Sequence, residues 1–146
     1  MLSVRDMIRK IWTSAILFLT LLFIFPLPLR AEVILDGTFG TSGPLNGPNY
    51  NITFGMGQQA GNNLFHSFGK FNLSNTESAT FSGPTNIENV ISRVTGGNPS
   101  NINGLMSSTI PGANLYFINP SGIVFGPDAQ LDISGSFYAS TADYIK

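Results

Sequence analysis

Cysteine is absent from this 146-residue chain, and tryptophan and histidine each occur once. Without cysteine there is no disulfide framework, so burial and backbone pairing alone must hold any fold. A lone histidine with no thiol leaves zinc without a ligand set. Charge is also scarce, at 10% of residues. From Glu32 onward, Lys70, Arg93 and Lys146 stand against Glu32, Asp36, Glu77, Glu88, Asp128, Asp132 and Asp143, a net of −4. That balance offers no electrostatic footprint for nucleic acid. Low charge with abundant Gly, Asn, Ser and Thr would suit disorder, yet nine Phe and many Ile and Leu remain in this part, enough for a core.

The first 31 residues differ from the rest. Arg5, Arg9 and Lys10 precede the uncharged, apolar run Ile11 to Phe25, which is broken by Pro26 and Pro28 and followed by Ala31. Basic, then apolar, then small is the order of a secretory signal peptide, and residues 1–31 are read as one with a helical apolar segment. The run falls short of the roughly 20 residues a spanning helix needs. Residues 32–146 then form one domain.

Along that domain, short apolar pieces alternate with Gly, Asn, Ser and Pro turns. Glu32 to Gly37 reads as a strand closed by Asp36-Gly37, and Thr38 to Asn51 as loop. Asn51 to Gly55 alternates, whereas Gly55 to Asn63 is glycine- and amide-rich loop. Leu64 to Leu73, Glu77 to Phe81 and Asn86 to Val94 read as strands, the last on its β-branched content despite helix-like spacing. The chain is therefore all-β: a sandwich, a barrel or a parallel β-helix. Small residues and Asn at the corners favour the β-helix.

Ala113 to Ser140 is the most structured stretch. Asn119-Pro120-Ser121-Gly122 has type I turn chemistry, and Pro120 forces Asn119 into extended geometry. Gly126-Pro127-Asp128 breaks the chain again. Beyond it the odd positions, Ala129 to Ala139, are all apolar or small, and the even ones are polar except Tyr138. This period-2 pattern reads as one long strand with Leu131, Ile133 and Phe137 in the core.

Residues able to carry chemistry are few. His66 has no nucleophile or carboxylate placed beside it by sequence and reads as structural. Asp128 and Asp132 read as a turn and a solvated strand residue, because calcium wants six or more oxygens. Asn51-Ile52-Thr53 and Asn72-Leu73-Ser74 fit a glycosylation pattern that an Asn- and Ser-rich chain yields by chance. No metal site, cofactor or catalytic residue is expected, and the chain does not read as an enzyme.

Three segments carry a family resemblance: Asn63 to Leu73, Asn89 to Gly104, and Ala113 to Phe125. The last contains Asn119-Pro120-Ser121-Gly122-Ile123, which resembles a hallmark turn that normally has Asn at its centre. Together they resemble the N-terminal secretion domain of two-partner-secretion exoproteins, the filamentous-haemagglutinin-like group of Gram-negative bacteria. A second family motif, Asn-Pro-Asn-Leu, has no clean match here; Pro84-Thr85-Asn86-Ile87 sits near its place.

The resemblance implies a right-handed parallel β-helix with an N-terminal cap. It implies export by the general secretory machinery, then recognition in the periplasm by an outer-membrane β-barrel transporter. It also implies an adhesin-like exoprotein, secreted or at the cell surface, with host or cell-surface glycans among its targets. Residues 119–123 are then either a turn fixing register or a direct transporter contact. Such domains run about twice this length, so a chain truncated at its C-terminus is expected. The alternative is a stand-alone or truncated exported carbohydrate-binding β domain.

Overall fold

In the computed structural model, residues 32–143 are described. The signal-peptide reading of 1–31 lies outside them. Core strands such as Val33–Asp36, Asn49–Ile52 and Asn89–Val94 form where buried side chains recur at every second position. In chain order the strands are β1 (Val33–Asp36), β2 (Ser42–Pro44), β3 (Asn49–Ile52), β4 (Gln58–Ala60), β5 (Asn63–Phe71), β6 (Ser78–Phe81), β7 (Asn89–Val94), β8 (Ser100–Ile102), β9 (Leu105–Ser108), β10 (Asn114–Ile118), β11 (Ile123–Phe125), β12 (Gln130–Asp132) and β13 (Phe137–Ser140). A single 3-10 turn, Phe54–Met56, is the one helical piece among the described residues.

The chain winds as a parallel β-helix. β5, Leu73 and β6 make the first coil, β7, β8 and β9 the second, β10, β11 and β12 the third, and β13 begins a fourth. Each strand hydrogen-bonds in parallel to its counterpart one coil away, giving three faces: β5-β7-β10-β13, β3-β6-β9-β12, and Leu73-β8-β11. The parallel β-helix expected from the resemblance is thus the observed architecture.

Register turns identical positions into inward columns. Leu64, Val90 and Leu115 stack on one face, Ala79 and Met106 on another, Leu73 and Ile102 on the third, all at most 2% exposed. Phe71 joins the columns: its ring lies 5.0 Å from Phe68 and 4.9 Å from Phe117, both edge-on, and 6.4 Å from a stacked Phe81. Aromatic pairs of this kind add about 1 kcal/mol each beyond burial.

Asparagine marks one corner. The Asn89 side-chain amide donates to Asn63 Oδ1 at 2.9 Å, and that of Asn114 donates to Asn89 Oδ1 at 3.0 Å. Asn114 Oδ1 then accepts from the Ser136 backbone N–H at 2.9 Å. The steps between these residues are 26, 25 and 22. Coils of unequal length leave no fixed repeat in the sequence. Gly104 marks another corner, where a Cβ would sit 2.3 Å from the Glu77 carbonyl oxygen.

The N-terminal end is capped. β1 runs antiparallel along β5, β2 along β1, and β4 along β5, so the first coil's edge is paired instead of open. β2 contains Gly43-Pro44 and reads as loop in sequence. It survives because it is an edge strand, where a residue lacking an N–H is tolerated. β4 is polar, and it pairs because Gly61, at φ +59°, turns the chain straight into β5. Asp36 staples this cap down. Its Oδ2 accepts from Ser67 Oγ at 2.6 Å and Thr95 Oγ1 at 2.7 Å, and its Oδ1 accepts from the Thr38 N–H at 2.9 Å.

The opposite end differs from the sequence reading. The stretch from Ala129 to Ser140 is two strands on two faces, not one long strand. The chain turns at Ile133 to Ser136, where a Cβ on Gly135 would lie 2.3 Å from the Ala113 carbonyl oxygen. Alternation persists through the corner, so parity alone does not reveal it. Leu131 is not core: it is 49% exposed. It stacks in register on buried Met106, but among the described residues no strand lies over β12. Ile133 and Phe137 are half-buried and pack against the core.

Two outcomes are expected from this architecture. Phe71→Ala should cost about 3–5 kcal/mol in urea unfolding, as for other buried Phe deletions. Burial opposes ionisation of Asp36, but the hydrogen bonds from Ser67, Thr38 and Thr95 outweigh it and hold the carboxyl at about 2, below its ordinary 3.8. Its stabilisation is therefore complete above the ordinary value and lost as pH falls towards 2. Asp36→Asn should flatten that acid limb of the stability profile.

Candidate functional site

The turn at Asn119 connects β10 to β11 and is built almost entirely by one side chain. Gly122 N–H donates to the Asn119 carbonyl at 3.0 Å, closing the four-residue turn, and Gly122 sits at φ +119°. Ser121 N–H donates to Asn119 Oδ1 at 2.9 Å. The Asn119 amide reaches back one coil, donating to the Asn98 carbonyl at 3.0 Å and to Ser100 Oγ at 2.9 Å. The Asn119 backbone N–H reaches forward, to the Ser140 carbonyl, at 2.9 Å. Asn119 and Ser100 are both fully buried.

The remaining residues of the turn are more accessible. Pro120, Gly122 and Ile123 are half-buried, and Ser121 is exposed. Ile123 begins β11 and pairs with Ser100, while Ser100 N–H donates to the Gly122 carbonyl at 3.0 Å. The turn therefore aligns β11 on β8. Leu131, Ile133 and Phe137 lie apart from it, at the last coil of the described residues. There Phe125, 43% exposed, meets Phe137 edge-on at 6.0 Å.

Other candidates resolve into structural contacts. Asp128 is clasped by Asn103, its N–H donating to Asn103 Oδ1 at 2.9 Å and its Oδ2 accepting from Asn103 Nδ2 at 3.3 Å. Asp132 is exposed on β12. Asn72 Oδ1 accepts from the Asn101 N–H at 2.9 Å. Among the described residues no group of three or more His, Asp or Glu side chains is placed to hold a metal ion. His66 is buried in the first coil and stacks near Phe68.

Sequence reasoning missed two features. Asp36 takes its partners from positions 31 and 59 residues away, which nothing local announces. The second is a line of outward side chains on the β5 face: Phe65, Ile91, Tyr116 and Tyr138 stand in register, with the two Tyr rings stacked at 4.6 Å. Only Tyr138 stood out in sequence, because the other three lie among apolar neighbours.

A comparison with curated proteins found no match. A scan of family models found one, the TPS secretion domain, over residues 31–146. That span holds the cap, every coil and the Asn119 turn. The chain belongs to the TPS secretion domain family, the secretion-signal domains of exported two-partner proteins.

Proposed function

We propose that the domain is the handle by which a partner outer-membrane β-barrel transporter recognises an exported adhesin-like protein, and that folding outside the cell begins from it. The observation that carries this reading is the family match over residues 31–146. Membership of a secretion family, not a catalytic one, places the chain among exported proteins at the cell surface or beyond it. In this reading, residues 1–31 direct passage through the inner membrane by the general secretory machinery, and the transporter meets the chain in the periplasm.

The physical properties support such a role. A chain that must thread a pore has to stay unfolded until it emerges. Parallel pairing across steps of 22 to 26 residues is non-local and forms slowly. Once outside, a capped first coil supplies a finished surface on which later coils can be laid.

Within this reading, Asn119 to Ile123 matter through the register they set. Asn119→Ala would leave buried Ser100 Oγ unpaired and release the more accessible Asn98 carbonyl and Ser121 N–H, at a cost of about 1–3 kcal/mol for the buried group. Co-expression with the partner transporter should then show reduced secretion of Asn119→Ala and Pro120→Ala. Export of both at the wild-type level would overturn the assignment.

A second reading, surface glycan binding, is favoured by one observation, the stacked Tyr116 and Tyr138 on the β5 face. Sugar rings pack on such aromatic faces. Glycan-array binding that disappears in a Tyr116→Ala, Tyr138→Ala double variant would support it; unchanged binding by the variant would exclude this face.

A further inference from the structure

His66 is the only histidine, and there is no cysteine. It is therefore the one side chain whose ordinary titration falls between pH 5 and 8. It is 2% exposed. Its ring stacks near Phe68 at 6.3 Å and meets Phe81 edge-on at 5.6 Å. Nε2 lies 3.3 Å from the Thr53 carbonyl oxygen, so in the neutral ring Nε2–H donates and Nδ1 carries the lone pair. Nδ1 is buried without a partner among the described residues, and so is Oγ of Ser92, the residue in register with His66 on the next coil.

The ring also joins two parts of the fold. The turn that follows β3, Thr53 to Gly57, closes directly over it; a Cβ on Gly57 would lie 3.0 Å from His66 Cδ2 and Nε2. The cap thus meets the first coil on this imidazole. Among the described residues the ring has no carboxylate partner. The Thr53–Gly57 turn, β3 and β6 carry no charged residue. Lys70 of β5, Arg93 of β7 and Asp143 are exposed, and Asp36 is held by Ser67 and Thr95. Burial pushes the imidazole below its ordinary 6.5, against a smaller opposing effect of the Thr53 carbonyl.

We propose that His66 is a proton-operated latch between the cap and the first coil. The neutral ring lets the Thr53–Gly57 turn close on β5; the imidazolium, a buried charge with no counter-charge, holds that junction open. Because the unfolded chain binds the proton more readily, stability is full above the ordinary histidine value and declines as pH falls below it. This window lies well above the one set by Asp36. The consequence for secretion rests on the transporter reading: an exported chain in mildly acidic surroundings would fold later.

The test is urea unfolding of the purified chain at pH 7.5 and 5.5, which needs no transporter and so can fail independently of the export reading. The wild-type folded-to-unfolded ratio should drop several-fold at the lower pH, and His66→Phe should remove that drop. A wild-type ratio that does not change, or a variant that keeps the full drop, would overturn the proposal. If His66→Phe does not fold, the single histidine Cε1 proton resonance decides: its titration midpoint should be lower in the folded wild type than in urea. An equal or higher midpoint would refute the latch.

Discussion

A parallel coil cannot satisfy itself. Its backbone groups point up and down the axis, and only another coil or a cap can pair them. Its inner face is buried only when others continue the columns. Everything else in this chain follows from that dependence. The antiparallel run of β1 and the hairpin of β4 exist because the first coil has no predecessor on its longest face. Asp36 ties the cap to residues on two successive coils, through Ser67 and Thr95.

The corners carry the second demand, that each coil start and stop in step with the last. Small residues let backbones approach, as at Gly104 and Gly135. Side-chain amides then reach between layers. Asn119 does this most completely, bonding its own turn, the coil before it and, through its backbone, the strand that opens the next coil. Its burial explains why a surface-looking polar turn behaves as part of the interior. Asn119 is fixed by contacts, while Ser121 beside it is exposed.

Much of this was legible in sequence. Aromatic and β-branched runs between turn residues located β5, β6 and β7, Pro120 marked the extended segment before it as β10, and Asn119-Pro120-Ser121-Gly122 announced its turn. The family resemblance supplied the winding, which alternation cannot: Ala129 to Ser140 alternates without interruption while crossing from one face to another. Leu131 shows the limit of parity. It points inward as its pattern requires, yet pointing inward buries a side chain only where another layer covers it. The polar edges β2 and β4 were invisible because edge strands owe their pairing to a neighbour, not to their own composition. Asp36 and His66 draw their environment from distant positions, and no local pattern encodes such encounters.

The asparagine corner has a further property. Both side-chain links run the same way: each amide hydrogen points towards the cap, and each amide oxygen towards the later coil. Three aligned amides add their dipoles, as peptide groups do along a helix, and each bond polarises the next. The column thus has an electrical polarity, with its negative pole at Asn114, where the Ser136 N–H is met. Stacking such residues does more than fill a corner: it gives the solenoid a field directed along its axis.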